Sequence, residues 1–141
     1  MTKQQIESIK ASWQFVATLD DTIVGELFYT RLLEVNPELK ALFKSPRPEQ
    51  SRKLVAMIGY IVVKLDKLDD LAEDIQRLAQ RHVHYGVQEK HYEVVGAALV
   101  WTLKKGLGEY WNTELEEAWI NCYTILSAAM IDAGQEAEQS H

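Results

Sequence analysis

The segment LAEDIQRLAQRHVHYGV, residues 71–87, carries the pattern on which the fold prediction rests. Its apolar residues and one histidine recur at steps of four, three and four, which predicts one face of an α-helix formed by Leu71, Ile75, Leu78 and His82. Gly86 follows the last turn and is typical of a helix end. The pattern alone leaves two alternatives open for His82, a hydrogen-bonded core residue or a ligand.

The same spacing of apolar residues recurs on both sides of this segment, whereas the Asn-Gly and Asp-Gly pairs typical of hairpins are absent from the sequence. We expect Lys67–Asp70 to be a connector, and Gly106 and Gly108 to end a helix over residues 91–107. The overall prediction is six or seven helices, no sheet and one core. Residues typical of helix starts occur near positions 2–5, 20–22, 36–38, 48, 71, 91 and 112–113.

The chain has 141 residues, of which 47% are hydrophobic and 26% are charged. This size and balance predict one globular domain, residues 1–141, whose ends at residues 1–2 and 134–141 fray. The formal net charge is -6, so the chain has no general attraction for phosphate backbones. Nucleic acid is therefore not expected as a partner.

Cys122 is the only cysteine, which excludes an internal disulfide and a cysteine-built zinc site. Uncharged runs such as Leu54–Val63 are well short of the ~18 apolar residues that a membrane span needs. His82 and His84 are two residues apart and point to nearly opposite sides of a helix, which disfavours a shared zinc ion. We expect a cytoplasmic protein without a membrane span.

A further set of residues occurs in the order and spacing of a known pocket. The chain resembles the globin family over about residues 3–132, and within that family the haemoglobins of bacteria and the haem domain of flavohaemoglobins. The matching features, in chain order, are Phe28-Tyr29, Asn36-Pro37, Leu42-Phe43, Gln50–Leu54, Arg81-His82, Tyr85–Val87, His91–Gly96, and Trp119 with Tyr123.

The resemblance implies an all-α globin fold, a three-on-three helical sandwich around a pocket for haem b. His82 would bind the iron through one ring nitrogen, and the other nitrogen would need a backbone carbonyl one turn earlier. Lys53 or Arg81 would pair with a haem propionate, although long basic side chains near an apolar face often extend to solvent. The pocket would be lined by Phe43, Leu54, Val87, Tyr92, Val95 and Leu99.

The resemblance also implies two hydrogen-bond donors at the ligand side of the iron, Tyr29 and Gln50. Bound oxygen gains partial negative charge, so these donors would give high affinity and slow release at a five-coordinate ferrous iron. The alternative for Tyr29 is a core tyrosine bonded to a backbone carbonyl. In flavohaemoglobins, the proximal histidine belongs to a network with a tyrosine and a glutamate of the last helix. Tyr92 fits the tyrosine. The position that matches the glutamate falls near Gly134, which has no carboxylate, and Glu136 lies two residues further.

Three function classes follow from the resemblance. The first is an oxygen-binding haem protein, which would also take carbon monoxide and nitric oxide. The second is an enzyme, a nitric oxide dioxygenase whose iron a separate reductase must reduce, because the chain ends at His141. The third is a haem-free regulatory or interaction protein on the same scaffold, which need not keep an axial histidine such as His82.

Overall fold

The computed structural model describes the backbone of residues 1–139 and the side chains of residues 1–135. These residues contain no strand, which confirms the all-α prediction. None of the helices within residues 1–139 combines the length and apolarity that crossing a membrane requires. The α-helices are α1 Lys3–Val16, α2 Asp21–Val35, α3 Arg47–Val63, α4 Ala72–His84, α5 Glu89–Leu107 and α6 Thr113–Gln139, and short 3₁₀ helices span Pro37–Leu42, Leu65–Leu71 and Gly108–Tyr110.

Side chains cap three helices at predicted starts. Thr2 and Gln5 form two reciprocal side-chain to backbone bonds of 3.0 and 3.1 Å, which satisfy N-terminal groups of α1. Asp20 caps α2 and Asn112 caps α6, each by accepting a backbone N–H at 2.8 Å. These local bonds explain why the helix starts can be predicted from nearby sequence alone.

The start of α5 differs from the prediction, whereas its predicted end at Leu107 agrees with the structure. The helix begins at Glu89 rather than His91, because the backbone N–H of Gln88 donates to His91 Nδ1 at 2.9 Å and caps the helix earlier. Gly106 lies inside the helix, and Gly108 ends it with a φ of 53°. A positive φ favours glycine, which explains why only the second glycine ends α5.

The helices leave a crevice between α3 and α4. Helix α2 packs on α3 and α5, and α6 packs on α1, α4 and α5. Within the described residues, the backbones of α3 and α4 make at most a marginal contact, and the Tyr60 hydroxyl of α3 donates to Asp74 Oδ2 of α4 at 2.9 Å. Leu42 and Gly86 lie close together at one end of the crevice. Leu42 Cδ2 is 3.6 Å from the position that a Cβ added to Gly86 would occupy.

The buried side chains form two clusters instead of the predicted single core. The larger cluster contains Trp13 and Trp119, and the Trp119 indole N–H donates to Ser12 Oγ at 3.0 Å. Leu99 contacts both clusters. The smaller cluster joins α2, the 3₁₀ helix Pro37–Leu42 and α5. Its buried members are Phe28, Tyr29, Leu32, Leu39 and Ala98.

Helices α2 and α3 approach closely at Gly25. A Cβ on Gly25 would stand 2.1 Å from Ser51 Cβ and 2.5 Å from Ser51 Cα, so no larger residue fits there without movement. Tyr29 lies one turn after Gly25, and Gln50 directly precedes Ser51. The close crossing therefore brings the two predicted donors to the same end of the crevice.

The structure describes most of both chain ends, for which fraying is predicted. Helix α6 continues to Gln139, past Gly134, where fraying was expected. Gly134 is buried, and a Cβ there would stand 3.2 Å from Val83 Cγ2, so α4 covers this part of α6. At the other end, Met1 packs against the larger cluster. Residues 140–141 and the side chain of Glu136 lie outside the described part of the chain.

We expect Gly25→Ala to lower the free energy of unfolding by about 1–3 kcal/mol, because the added methyl group would overlap the Ser51 backbone. The matched control is Gly106→Ala, also within a helix, where the new Cβ would meet only Leu19 Cδ1 at 3.7 Å. Alanine is the better helix former, so the control should be neutral or gain up to about 1 kcal/mol. Urea unfolding measures both, and equal stabilities of the two variants would contradict the close crossing.

Candidate functional site

Apolar side chains from four elements form one wall of the crevice around the buried Tyr29. They are half buried, so each keeps exposed apolar surface. This is the wall predicted for a flat apolar group, and it contains four of the predicted lining residues. They are Phe43 after the first 3₁₀ helix, Leu54 of α3, and Val95 and Leu99 of α5.

His82 lies on α4 across the crevice from this wall. Its Nδ1 lies 2.8 Å from the Leu78 carbonyl oxygen, one turn earlier, as predicted. A carbonyl can only accept, so Nδ1 carries the proton and Nε2 keeps its lone pair in the neutral ring. Among the described residues, nothing hydrogen-bonds to Nε2.

The surroundings of His82 keep its ring neutral at pH 7. Burial lowers its pKa, and the nearby charge of Arg81 acts in the same direction. The hydrogen bond to the Leu78 carbonyl opposes these effects without cancelling them. A neutral imidazole with a free Nε2 lone pair is the form that binds a metal.

The orientation of His82 is supported by two further predicted residues. The Tyr92 ring lies nearly parallel to the imidazole, with ring centroids 6.5 Å apart and planes inclined by 19°. The backbone N–H of Val87 donates to the His82 carbonyl at 2.9 Å. The Tyr123 hydroxyl of α6 donates to the Tyr92 carbonyl, a contact that the sequence analysis missed. His82 is thus held from its own helix, from α5 and, through Tyr92, from α6.

Tyr29 is a buried phenol on the opposite side of the crevice. Its ring packs edge-on against Phe28 and Phe43, with centroids 5.0 and 5.1 Å away. Burial raises the pKa of Tyr29 to about 12, against a smaller opposing effect of the Arg47 charge. The hydroxyl is therefore a protonated donor throughout the neutral range.

The hydroxyl of Tyr29 donates to the Gln50 backbone carbonyl at 3.4 Å. A core tyrosine bonded to a backbone carbonyl was the alternative interpretation of Tyr29, and this bond has that form. Its donor–acceptor distance, however, is at the outer limit for a hydrogen bond. The Gln50 side chain is half buried and has no hydrogen-bond partner among the described residues. Both predicted donors, the phenol of Tyr29 and the amide of Gln50, can therefore turn to a ligand without breaking a strong bond.

Arg47 is a site residue that the sequence analysis missed. Its guanidinium lies 5.8 Å from the centre of the Tyr29 ring and is held by Glu26 at 3.1 Å. Arg47 stands in the Lys-Ser-Pro-Arg-Pro stretch, which is typical of a loop. Its two partners are distant in the sequence, because Tyr29 lies 18 residues and Glu26 lies 21 residues before it. No local signal in the sequence places Arg47 over Tyr29.

The two predicted propionate partners lie on the exposed side of the crevice. Lys53 is 61% exposed and pairs with Glu49 at 3.2 Å, one turn earlier on α3. Arg81 is exposed and has no ion pair within the described residues. His84 and Tyr85 follow in solvent, and their rings contact each other at 5.9 Å. Charge is thus placed outside the crevice and apolar surface inside it.

The arrangement suits a flat apolar group that carries charges at one edge and a metal at its centre. His82 offers one nitrogen ligand on one side, and Tyr29 and Gln50 offer hydrogen-bond donors on the other. Within the described residues, no group of three or more His, Cys, Asp or Glu side chains is placed to hold a metal ion.

Comparisons with known proteins agree with this arrangement. A family model described as Globin matches residues 26–130. A flavohemoprotein of Vibrio cholerae is 29% identical over 135 residues, covering 94% of this chain and 34% of that protein. The chain spans about a third of the length of the flavohemoproteins that it matches.

Two solved structures cover nearly the whole chain. A bacterial globin from Campylobacter jejuni has a TM-score of 0.86 at 25% identity and covers 98% of this chain and 99% of that one. The second structure is an engineered carbene transferase with the same TM-score and identity, which covers 99% of this chain and 97% of that one. Its Rhodothermus marinus parent is proposed to be a nitric oxide dioxygenase. These likenesses confirm the predicted fold.

The raised pKa of Tyr29 predicts a pH-dependent stability. The unfolded state releases the phenol proton near pH 10, whereas the folded state keeps it to about pH 12, so this stabilisation is complete below pH 10 and lost as pH rises towards 12. The free energy of unfolding should fall between pH 9 and 11 by about 1 kcal/mol more for the unmodified protein than for Tyr29→Phe.

Urea unfolding across that pH range measures the difference. The control is Tyr110→Phe, because the Tyr110 ring is 67% exposed. The free energy of unfolding of this variant should change with pH in the same way as that of the unmodified protein. A Tyr29→Phe profile parallel to that of the unmodified protein would show that the phenol is accessible to solvent and would contradict its burial.

Proposed function

The chain belongs to the globin family, and we propose that residues 1–141 form one haem-binding domain that reversibly binds oxygen with high affinity. The observation that carries the proposal is the hydrogen bond between His82 Nδ1 and the Leu78 carbonyl, which leaves Nε2 free to bind iron.

The one cysteine of the chain, Cys122, is free and buried, which supports a reducing compartment such as the cytoplasm.

The residues fit haem b by their chemistry. When bound here, haem would supply an iron that takes diatomic ligands, with His82 as its protein ligand. The apolar residues Phe43, Leu54, Val95 and Leu99 would hold the porphyrin faces, with Val87 and Tyr92 on the His82 side. Lys53 and Arg81 stand in solvent at the edge, where the propionates would emerge.

Tyr29 and Gln50 would raise the affinity for oxygen, carbon monoxide and nitric oxide to different extents. A hydrogen bond to a charged acceptor contributes roughly 1.5–3 kcal/mol, and ~1.4 kcal/mol is a factor of ten in affinity. Oxygen gains the most negative charge of these ligands, so it benefits most. The gain is expected mainly as slower release.

A second function, nitric oxide dioxygenase activity, is supported by the likeness to the engineered protein whose parent is proposed to be such an enzyme. The same Tyr29 and Gln50 donors would serve it. Such an enzyme would convert nitric oxide and oxygen to nitrate, and a reductase would have to return the iron to its ferrous form between turnovers. Loss of the oxygenated spectrum on adding nitric oxide, with turnover sustained by a reductase, distinguishes the enzyme from a carrier.

The axial role of His82 is tested by absorption spectra of the purified protein, ferric, reduced and with carbon monoxide. We expect a strong Soret band that shifts with carbon monoxide and is lost or altered in His82→Ala. The matched control is His84→Ala, two residues on and exposed, which should keep the spectrum. Added imidazole should restore a normal spectrum to His82→Ala.

Absence of haem uptake by the unmodified protein would contradict the proposal. In that case His82 would be a packing residue of the core, and a haem-free regulatory protein would be the better interpretation. A haem spectrum that is unchanged in His82→Ala would retain a haem protein but remove His82 as its ligand.

Tyr29→Phe should speed oxygen release about ten- to hundredfold, because the phenol donor is lost while the ring packing stays. Stopped-flow or flash-photolysis kinetics measure the release rate. Carbon monoxide release should change much less, since that ligand carries less charge. The control Tyr110→Phe should leave oxygen release unchanged, and an unchanged rate in Tyr29→Phe itself would remove Tyr29 from the site.

A further inference from the structure

Arg47 places a positive charge beside the buried phenol of Tyr29. Its guanidinium carbon lies 5.8 Å from the centre of the Tyr29 ring, where a cation is attracted by the electron-rich face of the ring. Arg47 also stands three residues before Gln50 on α3, so the two side chains lie on the same side of that helix. The charge is therefore close to both of the predicted hydrogen-bond donors.

The guanidinium is held by α2 through a single hydrogen bond. Arg47 Nη1 donates to Glu26 Oε1 at 3.1 Å, and the Thr30 hydroxyl donates to the same oxygen at 3.1 Å. Glu26 and Thr30 stand on either side of Tyr29 in the sequence of α2, so the helix that carries the phenol also positions the charge. An arginine has five N–H donors, and this is the only side-chain hydrogen bond that Arg47 makes among the described residues.

The positive charge acts on the phenol although Arg47 is paired with Glu26. Arg47 favours the anionic form of Tyr29, which lowers the pKa of the phenol against the larger effect of burial. The Arg47 side chain is 38% exposed and that of Glu26 is 55% exposed, so solvent screens the carboxylate more than the guanidinium. A negative charge on a ligand beside the same hydroxyl would be stabilised for the same reason.

A second cation of α3, Lys53, is less suited to this role. It is 61% exposed and pairs with Glu49 at 3.2 Å, so its charge is screened by solvent and by its own partner. Its charge has no part in setting the pKa of Tyr29, whereas that of Arg47 has. Arg47 is therefore the charged side chain of α3 through which a ligand beside Tyr29 would be recognised.

Charge divides the ligands that a haem iron can take into two classes. Oxygen, carbon monoxide and nitric oxide are neutral molecules, and they gain at most a partial charge when they bind. Nitrite and azide are small anions that bring a full negative charge to a ferric iron. A fixed positive charge near the ligand therefore stabilises the anions more than the neutral ligands.

We propose that Arg47 determines specificity at the ligand side of the crevice, where its charge favours small inorganic anions such as nitrite and azide as ligands of the ferric protein. The inference rests on the proposed haem site, since the anion would bind the haem iron. Arg47 acts through its charge and does not itself bind the metal. Binding is reversible, and no bond within the anion is broken.

Titration of the purified ferric protein with azide, followed by its absorption spectrum, tests the proposal. Arg47→Met removes the charge but keeps an unbranched side chain, and we expect it to weaken azide binding about three- to tenfold at low salt. Nitric oxide binding to the same ferric protein should change by less than about twofold, because this ligand is neutral. Equal losses for azide and nitric oxide would show a change of structure rather than of charge and would overturn the proposal.

Two further substitutions separate charge from packing. Arg47→Lys keeps the charge and should retain most of the azide affinity, although a lysine does not reproduce the guanidinium fork. Glu26→Gln removes the opposing charge, keeps an oxygen for Thr30 and should strengthen azide binding about twofold. If either variant binds azide as weakly as Arg47→Met, the charge of Arg47 is not the cause and the proposal is wrong. The matched control is Arg52→Met, an exposed arginine of α3, which should change neither affinity.

The phenol of Tyr29 gives a readout that needs neither azide nor haem. In protein labelled with ¹³C at the tyrosine carbon that bears the hydroxyl, the NMR signal of Tyr29 shifts as the phenol ionises, and Tyr29→Phe assigns it. We expect this shift to begin at higher pH in Arg47→Met than in the unmodified protein or Arg47→Lys, because the charge that lowers the pKa of Tyr29 is gone.

Equal titrations of Tyr29 in the unmodified protein and Arg47→Met would show that the charge does not reach the phenol, which would overturn the proposal. Failure of the proposed function is recognised separately. A protein that takes up no haem gives no azide spectrum, whereas the Tyr29 signal still reports the charge of Arg47.

Discussion

The hydrogen bond from His82 Nδ1 to the Leu78 carbonyl, at 2.8 Å, is the interaction on which the chemistry of the crevice depends. It decides which ring nitrogen carries the proton, and so which one is free to bind a metal. Burial keeps the ring neutral, and the Tyr92 ring lies nearly parallel to it with the ring centroids 6.5 Å apart. Without this bond, the imidazole could present either nitrogen to the crevice, and the donors on the other side would have no fixed ligand position.

The second constraint is the close approach of α3 to α2. Gly25 lets α3 approach α2 so closely that Ser51 lies against its backbone. Gln50 precedes Ser51, and its backbone carbonyl accepts the Tyr29 hydroxyl at 3.4 Å. A small residue in α2 thus sets the relative position of the two donors.

The sequence predicted best what depends on local geometry. A bond from a helical histidine to the carbonyl one turn earlier is fixed by the helix, so the partner of His82 could be predicted, as could the caps at Asp20 and Asn112. The pairing of Tyr29 with Gln50 came from the family resemblance and not from any local pattern. Arg47 over Tyr29 and the Tyr123 bond to Tyr92 were missed, because both link distant positions. Only the packing of α2 on α3 and of α5 on α6 brings these residues together.

The most direct test of the central claim is the resonance Raman spectrum of the ferrous, ligand-free protein, with histidine at natural abundance and labelled with ¹⁵N. Coordination by neutral His82 predicts an iron–imidazole stretching band that moves to lower frequency on labelling and is absent from His82→Ala. A spectrum without such a band, or with a band that the label does not move, would show that no histidine binds the iron. That result would contradict the claim that the His82–Leu78 hydrogen bond leaves Nε2 free as the iron ligand.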